Sequence, residues 1–171
     1  MKKPLLETTR LNISPVTVAD APFIFELLTS PSWIKYIGDR GLKTIEDAEK
    51  IIQERYIKHF DTHGFGVYTI TLKSDNTPIG LSTLLKKDYL DTVDIGYALL
   101  AKNEGNGYAT EASKAMYQYA QKDLGYKRIV ATTTLDNERS IHVLEKLGFY
   151  FEKNIENAGE TLKLFANIPP Q

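Results

Sequence analysis

Cysteine is absent from the 171 residues. Its absence excludes disulfides, thiolate metal sites and a cysteine nucleophile, and it suits a cytoplasmic protein. Charge of one sign is also lacking: 21 Lys and Arg against 22 Asp and Glu leave a net charge of −1. A balance so close to zero gives no global electrostatic case for nucleic acid or an anionic membrane as partner. No apolar run approaches the roughly 18 residues that a membrane span needs. The stretch Met1–Glu7 has two lysines but no long apolar segment behind them, so no signal peptide is expected there. Repeats, low-complexity tracts and linkers are missing too. The expectation is therefore one domain over residues 1–171, with a core from about residue 9 to 168, long enough to bury a real interior. What is present is ordinary for a globular chain, 42% apolar and 25% charged. Ten tyrosines point to an aromatic-lined, partly polar cleft, or simply to tyrosines spread over strands.

Hydrophobic periodicity divides the chain into short elements. Arg10 to Val16 alternates and reads as a strand. Asp20 and Pro22 open a helix with Phe23, Ile24, Leu27 and Leu28 on one face, and Ser30-Pro31-Ser32 ends it. Trp33, Ile34, Tyr36 and Ile37 form an apolar knot before Gly38. Thr44 and Asp47 have capping-box spacing ahead of a helix running to about Phe60. Gly66 to Leu72 and Ile79 to Leu85 form a hairpin around a Ser74–Pro78 turn. Val93 to Leu100 is nearly continuous in apolar residues, as a mid-sheet strand is, and Gly96 within it signals a bulge or a close approach. A helix over Ala109–Leu124 stops at Gly125, Arg128 to Leu135 is another buried strand, and a short helix stops at Gly148. Phe149–Lys153 and Thr161–Ala166 complete the sheet. The order is α+β, with a central mixed sheet of about six to seven strands flanked by helices.

The chain is organised around Glu104-Gly105-Asn106-Gly107-Tyr108-Ala109-Thr110-Glu111-Ala112. Two glycines one residue apart, between a strand and a helix, allow a tight turn and close approach to a ligand. The helix that follows leaves its first N–H groups unpaired, and with the helix dipole these favour an anion such as phosphate. Two standard phosphate motifs do not fit. No third glycine falls at dinucleotide-fold spacing, and no Gly-Lys-Ser/Thr follows as a P-loop needs. The plainer reading of the glycines alone is an ordinary tight turn. A second string, Asn137-x-x-Ser140-x-x-x-Leu144-x-Lys146-Leu147-Gly148-Phe149, lies one strand later. Asp136 or Asn137 caps its helix, Ile141, Leu144 and Leu147 pack, and Gly148 terminates it.

Together these strings resemble the two acetyl-CoA motifs of the GNAT-type N-acetyltransferases. Glu104-x-x-Gly107-x-Ala109 is similar to Gln/Arg-x-x-Gly-x-Gly/Ala. The second string is similar to Asn-x-x-(Ser/Ala)-x-x-x-(Leu/Tyr)-x-(Lys/Arg)-x-Gly-Phe. With Thr9-Arg10-Leu11 and Ile95-Gly96-Tyr97 the likeness covers nearly the whole chain, and it looks closest to the ribosomal-protein N-terminal acetyltransferases of the RimJ/RimL type. Glu104 departs from the usual Gln or Arg. Facing outward it costs little; facing the pyrophosphate it repels it.

The resemblance implies a single-domain GNAT-like fold, acetyl-CoA as cosubstrate and no metal. It also implies direct attack by an amine on the thioester, helped by alignment and oxyanion stabilisation. A backbone N–H near Tyr97, Ala98 or Leu99 would face the thioester carbonyl where the Val93–Leu100 strand parts from the Arg128–Leu135 strand. Leu99, Leu100 and Lys102 would flank the pantetheine. Gly105, Asn106, Gly107, Tyr108, Ala109 and Thr110 would hold the pyrophosphate, and Asn137 would bond the pantetheine arm. Ser140 would sit by the sulfur and protonate the departing thiolate, whose pKa of roughly 8.5 asks for modest help. The plainer reading of Ser140 is a helix-surface hydroxyl. Asp94 is the expected base, with a salt-bridging strand residue as the alternative, and His59 and His63 read as solvated or structural. The expected acceptor is a protein N-terminal α-amine, roughly 10% neutral at pH 7 and so in little need of a base. Two alternatives stay open: acetylation of a small amine such as a polyamine or an aminoglycoside, and a non-catalytic acyl-CoA-binding module. Carboxylates lining the acceptor cleft would mark the first, but Glu46, Asp47, Glu49 and Glu54 read as a solvated helix face. Monomer and homodimer are equally compatible.

Overall fold

In the computed structural model, which describes residues 3–171, one eight-stranded sheet runs through the molecule in the order β1-β2-β3-β4-β5-β6-β8-β7. Met1 and Lys2, part of the stretch read as lacking a signal peptide, lie outside the described residues. The strands are β1 Leu6–Glu7, β2 Leu11–Pro15, β3 Val67–Leu72, β4 Pro78–Lys86, β5 Val93–Leu99, β6 Val130–Thr134, β7 Tyr150–Asn157 and β8 Glu160–Ala166. Every neighbouring pair is antiparallel except β5 and β6, which run parallel and meet only at Asp94 and Val130. Beyond that point the two strands part, and the opening between them faces the C-terminal end of β5.

The helices cover the sheet because their apolar stripes have nowhere else to go. Helices α1 (Ala21–Leu28) and α3 (Ile45–Ile51) pack Phe23, Ile24, Leu27 and Ala48 with Val16, Ile52, Val67 and Leu81 in one cluster. Thr44 accepts the Asp47 N–H while the Asp47 side chain accepts the Thr44 N–H, so the capping box forms as its spacing predicts. The helix continues through a π-helical stretch, Ile52–Ile57, into α4 (Lys58–His63), and Gly64 ends it at φ +80°. Helix α5 (Tyr108–Gln118) sets fully buried Ala112 and Met116 into the second cluster, with Leu11, Ile13, Ile70, Val93 and Ile95. Among the described residues no helix is long and apolar enough to cross a membrane.

The eighth strand is the part that periodicity did not reveal. β1 is two residues long, too short to show alternation, and it exists by pairing Leu6 with Ile13 across the turn to β2. A second difference concerns the apolar knot. Trp33 is buried within a true helix, α2 (Pro31–Tyr36), but Ile34 and Ile37 remain exposed. Gly96 sits in unbroken β4–β5 register, so it marks no bulge; a Cβ there would meet the Thr83 hydroxyl oxygen at 2.8 Å. The tightest glycine is Gly80 on β4, where a Cβ would lie 2.2 Å from the carbonyl oxygen of Ala98.

Candidate active site

The opening between β5 and β6 widens into a cavity of about 760 Å³. Its walls are β5 (Ile95 to Leu99), β6 (Ala131 to Thr134), the loop and first turn of α5, and α6 (Glu138–Lys146). The end nearest α1 and α2 is closed by Leu27, Ser32, Trp33, Tyr36 and Ile37. Gly105 and Gly107 adopt φ +79° and +81°, a region that side chains with a Cβ rarely enter, and this turns the chain sharply into α5. The first intrahelical bond of α5 runs from the Glu111 N–H to the Gly107 carbonyl. The N–H groups of Tyr108, Ala109 and Thr110 precede it and have no partner within the helix. All three residues line the cavity.

One ion pair lies within the lining. The Glu104 carboxylate forms an ion pair with the Arg139 guanidinium, joining the loop before α5 to the first turn of α6. The unusual acidic residue of the loop is thus neutralised by a cation contributed from the second motif. The Tyr97 phenol is pushed up to about 12, by burial first and by the Glu104 charge next, against opposing effects of Arg139 and of a hydrogen bond with the Ser140 side chain. Tyr97 therefore remains a protonated phenol beside Ser140 throughout the neutral range. Asn137 caps α6, its side-chain oxygen accepting the Ser140 N–H at 3.2 Å, so its amide NH₂ is left for other partners. The hydroxyls of Thr133 and Thr134, on the β6 wall, are buried without a hydrogen-bond partner. Unpartnered buried polar atoms of this kind cost about 1–3 kcal/mol each, and both oxygens are closed off from the open space of the cavity.

Of the residues expected at the site, Tyr97, Ala98, Leu99, Gly105, Gly107, Tyr108, Ala109, Thr110, Asn137 and Ser140 come together around this cavity. Four are not among its lining residues. Leu100 is buried in the core cluster against α1 and α3. Lys102 is exposed and lies 3.7 Å from Glu26. Asn106 turns its amide NH₂ to the Asn103 and Glu104 carbonyls. Asp94 is 5% exposed and bonds Lys87 at 3.0 Å, so the arrangement is that of a salt-bridging strand residue and not of a base open to an acceptor. Burial pushes the Asp94 carboxyl above its ordinary range, against the pull of that ammonium. His59 uses both ring nitrogens on backbone, Nδ1 with the Phe65 carbonyl at 3.0 Å and Nε2 with the Lys86 N–H at 3.1 Å, which makes it structural. Sequence reasoning missed Arg139 and the β6 threonines as cavity residues. Arg139 stands one residue before Ser140 in the second motif, and that proximity was the available signal.

The profile of the acetyltransferase (GNAT) domain family matches residues 10–150. The chain therefore belongs to the GNAT acetyltransferase family, whose members use acetyl-CoA, and it is an N-acetyltransferase of that class. It is 31% identical over 151 residues to an uncharacterized N-acetyltransferase, YoaA, of Bacillus subtilis, spanning 87% of this chain and 84% of the relative. In fold it resembles RimL, a ribosomal L7/L12 alpha-N-protein acetyltransferase in complex with coenzyme A, with TM-score 0.82 and 19% identity, covering 97% of this chain and 98% of the other. It also resembles a spermidine N-acetyltransferase from Vibrio cholerae in complex with CoA and spermine, with TM-score 0.76 and 17% identity, covering 93% and 95%. At those identities the two likenesses are of fold alone.

Proposed function

We propose that the chain transfers an acetyl group from acetyl-CoA to a protein N-terminal α-amine, as an enzyme of the RimJ/RimL type. The observation that carries this reading is the wall at the α1–α2 end of the cavity. Leu27, Trp33, Tyr36 and Ile37 make it apolar and aromatic, and it contains no carboxylate. A polyamine carries several positive charges, and desolvating them against such a wall is costly without anionic partners. A peptide N-terminus brings one amine and a mostly neutral, partly apolar body, which suits the wall. The carboxylates of the lining, Glu104, Asp136 and Glu138, come from the loop before α5 and the turn into α6; Glu104 is already paired, and Asp136 lies near enough to α2 to act on the Lys35 ammonium.

The cavity fits the cosubstrate on its own terms. Its size lies within the range of small-molecule sites. The glycine loop exposes N–H groups without a Cβ in the way. Gly105, Gly107, Tyr108, Ala109 and Thr110 would hold the diphosphate by backbone N–H groups, and the Asn137 amide NH₂ would bond the pantetheine arm. Acetyl-CoA, when bound, supplies the activated acetyl thioester. As the α-amine attacks the thioester carbonyl and the carbon–sulfur bond breaks, Ser140, beside the protonated Tyr97 phenol, would pass its proton to the leaving sulfur and recover one from the water that takes up the amine's proton. A water takes the proton from the α-amine, of which roughly 10% is already neutral at pH 7.

The test is an acceptor panel in the presence of acetyl-CoA, read by thiol release and by the mass of the acceptor. Peptides with free N-termini are expected to gain one acetyl group at the α-amine, and the same peptides with blocked N-termini and an internal lysine are expected not to react. Turnover of spermidine with none of the free-N-terminus peptides would overturn the reading in favour of a small-amine enzyme.

A further inference from the structure

We infer that Arg10, on the turn between β1 and β2 and outside the cavity lining, is the positioning residue that aims the anion-binding loop. Its Nη1 donates to the Asn106 carbonyl at 2.9 Å. Its Nε and Nη2 both reach Glu111 Oε2, each at 2.7 Å. The Arg10 backbone N–H donates to Glu111 Oε1 at 2.9 Å, and the Thr8 hydroxyl donates to the same oxygen at 2.6 Å. The guanidinium also lies 4.4 Å from the centre of the Tyr108 ring. One side chain thus grips the loop at Asn106, stacks on the first residue of α5 and locks to the carboxylate one turn into that helix.

The consequence follows from peptide geometry. The described residues contain no cis peptide bond. In a trans peptide the C=O and the following N–H point in opposite directions. Holding the Asn106 carbonyl from behind therefore turns the Gly107 N–H away from Arg10. Gly107 lines the cavity, whereas Arg10 and Asn106 do not. A hydrogen bond to the carbonyl also polarises the peptide and strengthens its N–H as a donor. Gly107 is favoured as glycine by its φ of +81°, and a Cβ there would come into contact with the Arg10 Nη2 at 3.4 Å. Without the brace, a loop with two glycines is free to rotate the 106–107 peptide, and ordering it would fall to the ligand.

This inference rests on the acetyl-CoA reading above, and its test keeps the two apart. Acetyl-CoA is titrated calorimetrically into the wild-type chain, Arg10→Ala and Arg10→Lys. The Gly107 amide proton is followed by NMR in each, and thermal unfolding is measured alongside. Both variants are expected to bind about tenfold more weakly, because a lysine keeps the charge but not the fork that reaches Glu111 and Asn106 together. The shift of the Gly107 amide on binding is expected in the wild type and lost in both variants. Wild-type affinity in the variants, even with a lower unfolding midpoint, would overturn the inference and leave Arg10 a structural brace only. Failure of the wild-type chain itself to bind acetyl-CoA would overturn the acetyl-CoA reading, and this inference with it.

Discussion

Glu104 shows how a single side chain is read differently once its partner is known. Alone in the loop, a carboxylate repels the anion that the loop's N–H groups attract. Paired with Arg139 it contributes little net charge, and the two form a bridge between the two halves of the site. Arg139 is 70% exposed, so the pair is largely screened and each half is worth well under a buried ion pair. The expected outcome is that Glu104→Gln tightens acetyl-CoA about three- to fivefold by freeing Arg139, while Arg139→Gln weakens it by a similar factor. The double variant is expected to bind nearly as the wild type does. Calorimetric titrations of the four proteins, repeated at high salt where the differences should shrink, check this. Two independent, additive losses would contradict it.

At the scale of elements, α6 is held by a residue with two separable duties. The Asn137 side-chain oxygen caps the helix, and its NH₂ is free for a ligand. Asn137→Ala is expected to cost about 1 kcal/mol of stability and to weaken acetyl-CoA as well. Asn137→Asp keeps the capping oxygen and loses the donor, so it is expected to unfold near the wild-type midpoint while binding more weakly. Denaturant unfolding and titration of both variants separate the duties. The capping box at Thr44 and the terminating glycines Gly125 and Gly148 were legible in the sequence because each is a local signal confined to a few residues. The same holds for the glycine loop and for Asn137 and Ser140. What was not legible is long-range. β1 depends on its partner strand, Gly80 on the approach of Ala98, and the Arg10 brace on a residue about a hundred positions away. For Asp94 the salt-bridging alternative that the sequence offered is the arrangement seen, with Lys87 from seven residues earlier as the partner.

For the molecule as a whole, acid sensitivity follows from carboxylates that tie distant segments together. Burial raises Glu111, but the bonds from the Thr8 hydroxyl and from the Arg10 N–H and guanidinium outweigh it and hold the carboxyl below its ordinary range. The Arg128 fork does the same for Glu152, joining β7 to the start of β6. A depressed folded pKa means that the ionised form stabilises the fold. That contribution is complete above the ordinary glutamate range and is lost as pH falls through the depressed values. The thermal midpoint is expected to drop on acidification through this window, and less steeply in Glu111→Gln and Glu152→Gln, as melting curves across pH would show. Fold alone does not choose the acceptor, since RimL and a spermidine enzyme share this architecture. The site must be tested directly. The most direct measurement is calorimetric titration of acetyl-CoA into the wild-type chain and into folded Gly107→Trp. Micromolar binding that the substitution abolishes is the predicted result, and no binding at millimolar acetyl-CoA would contradict the account.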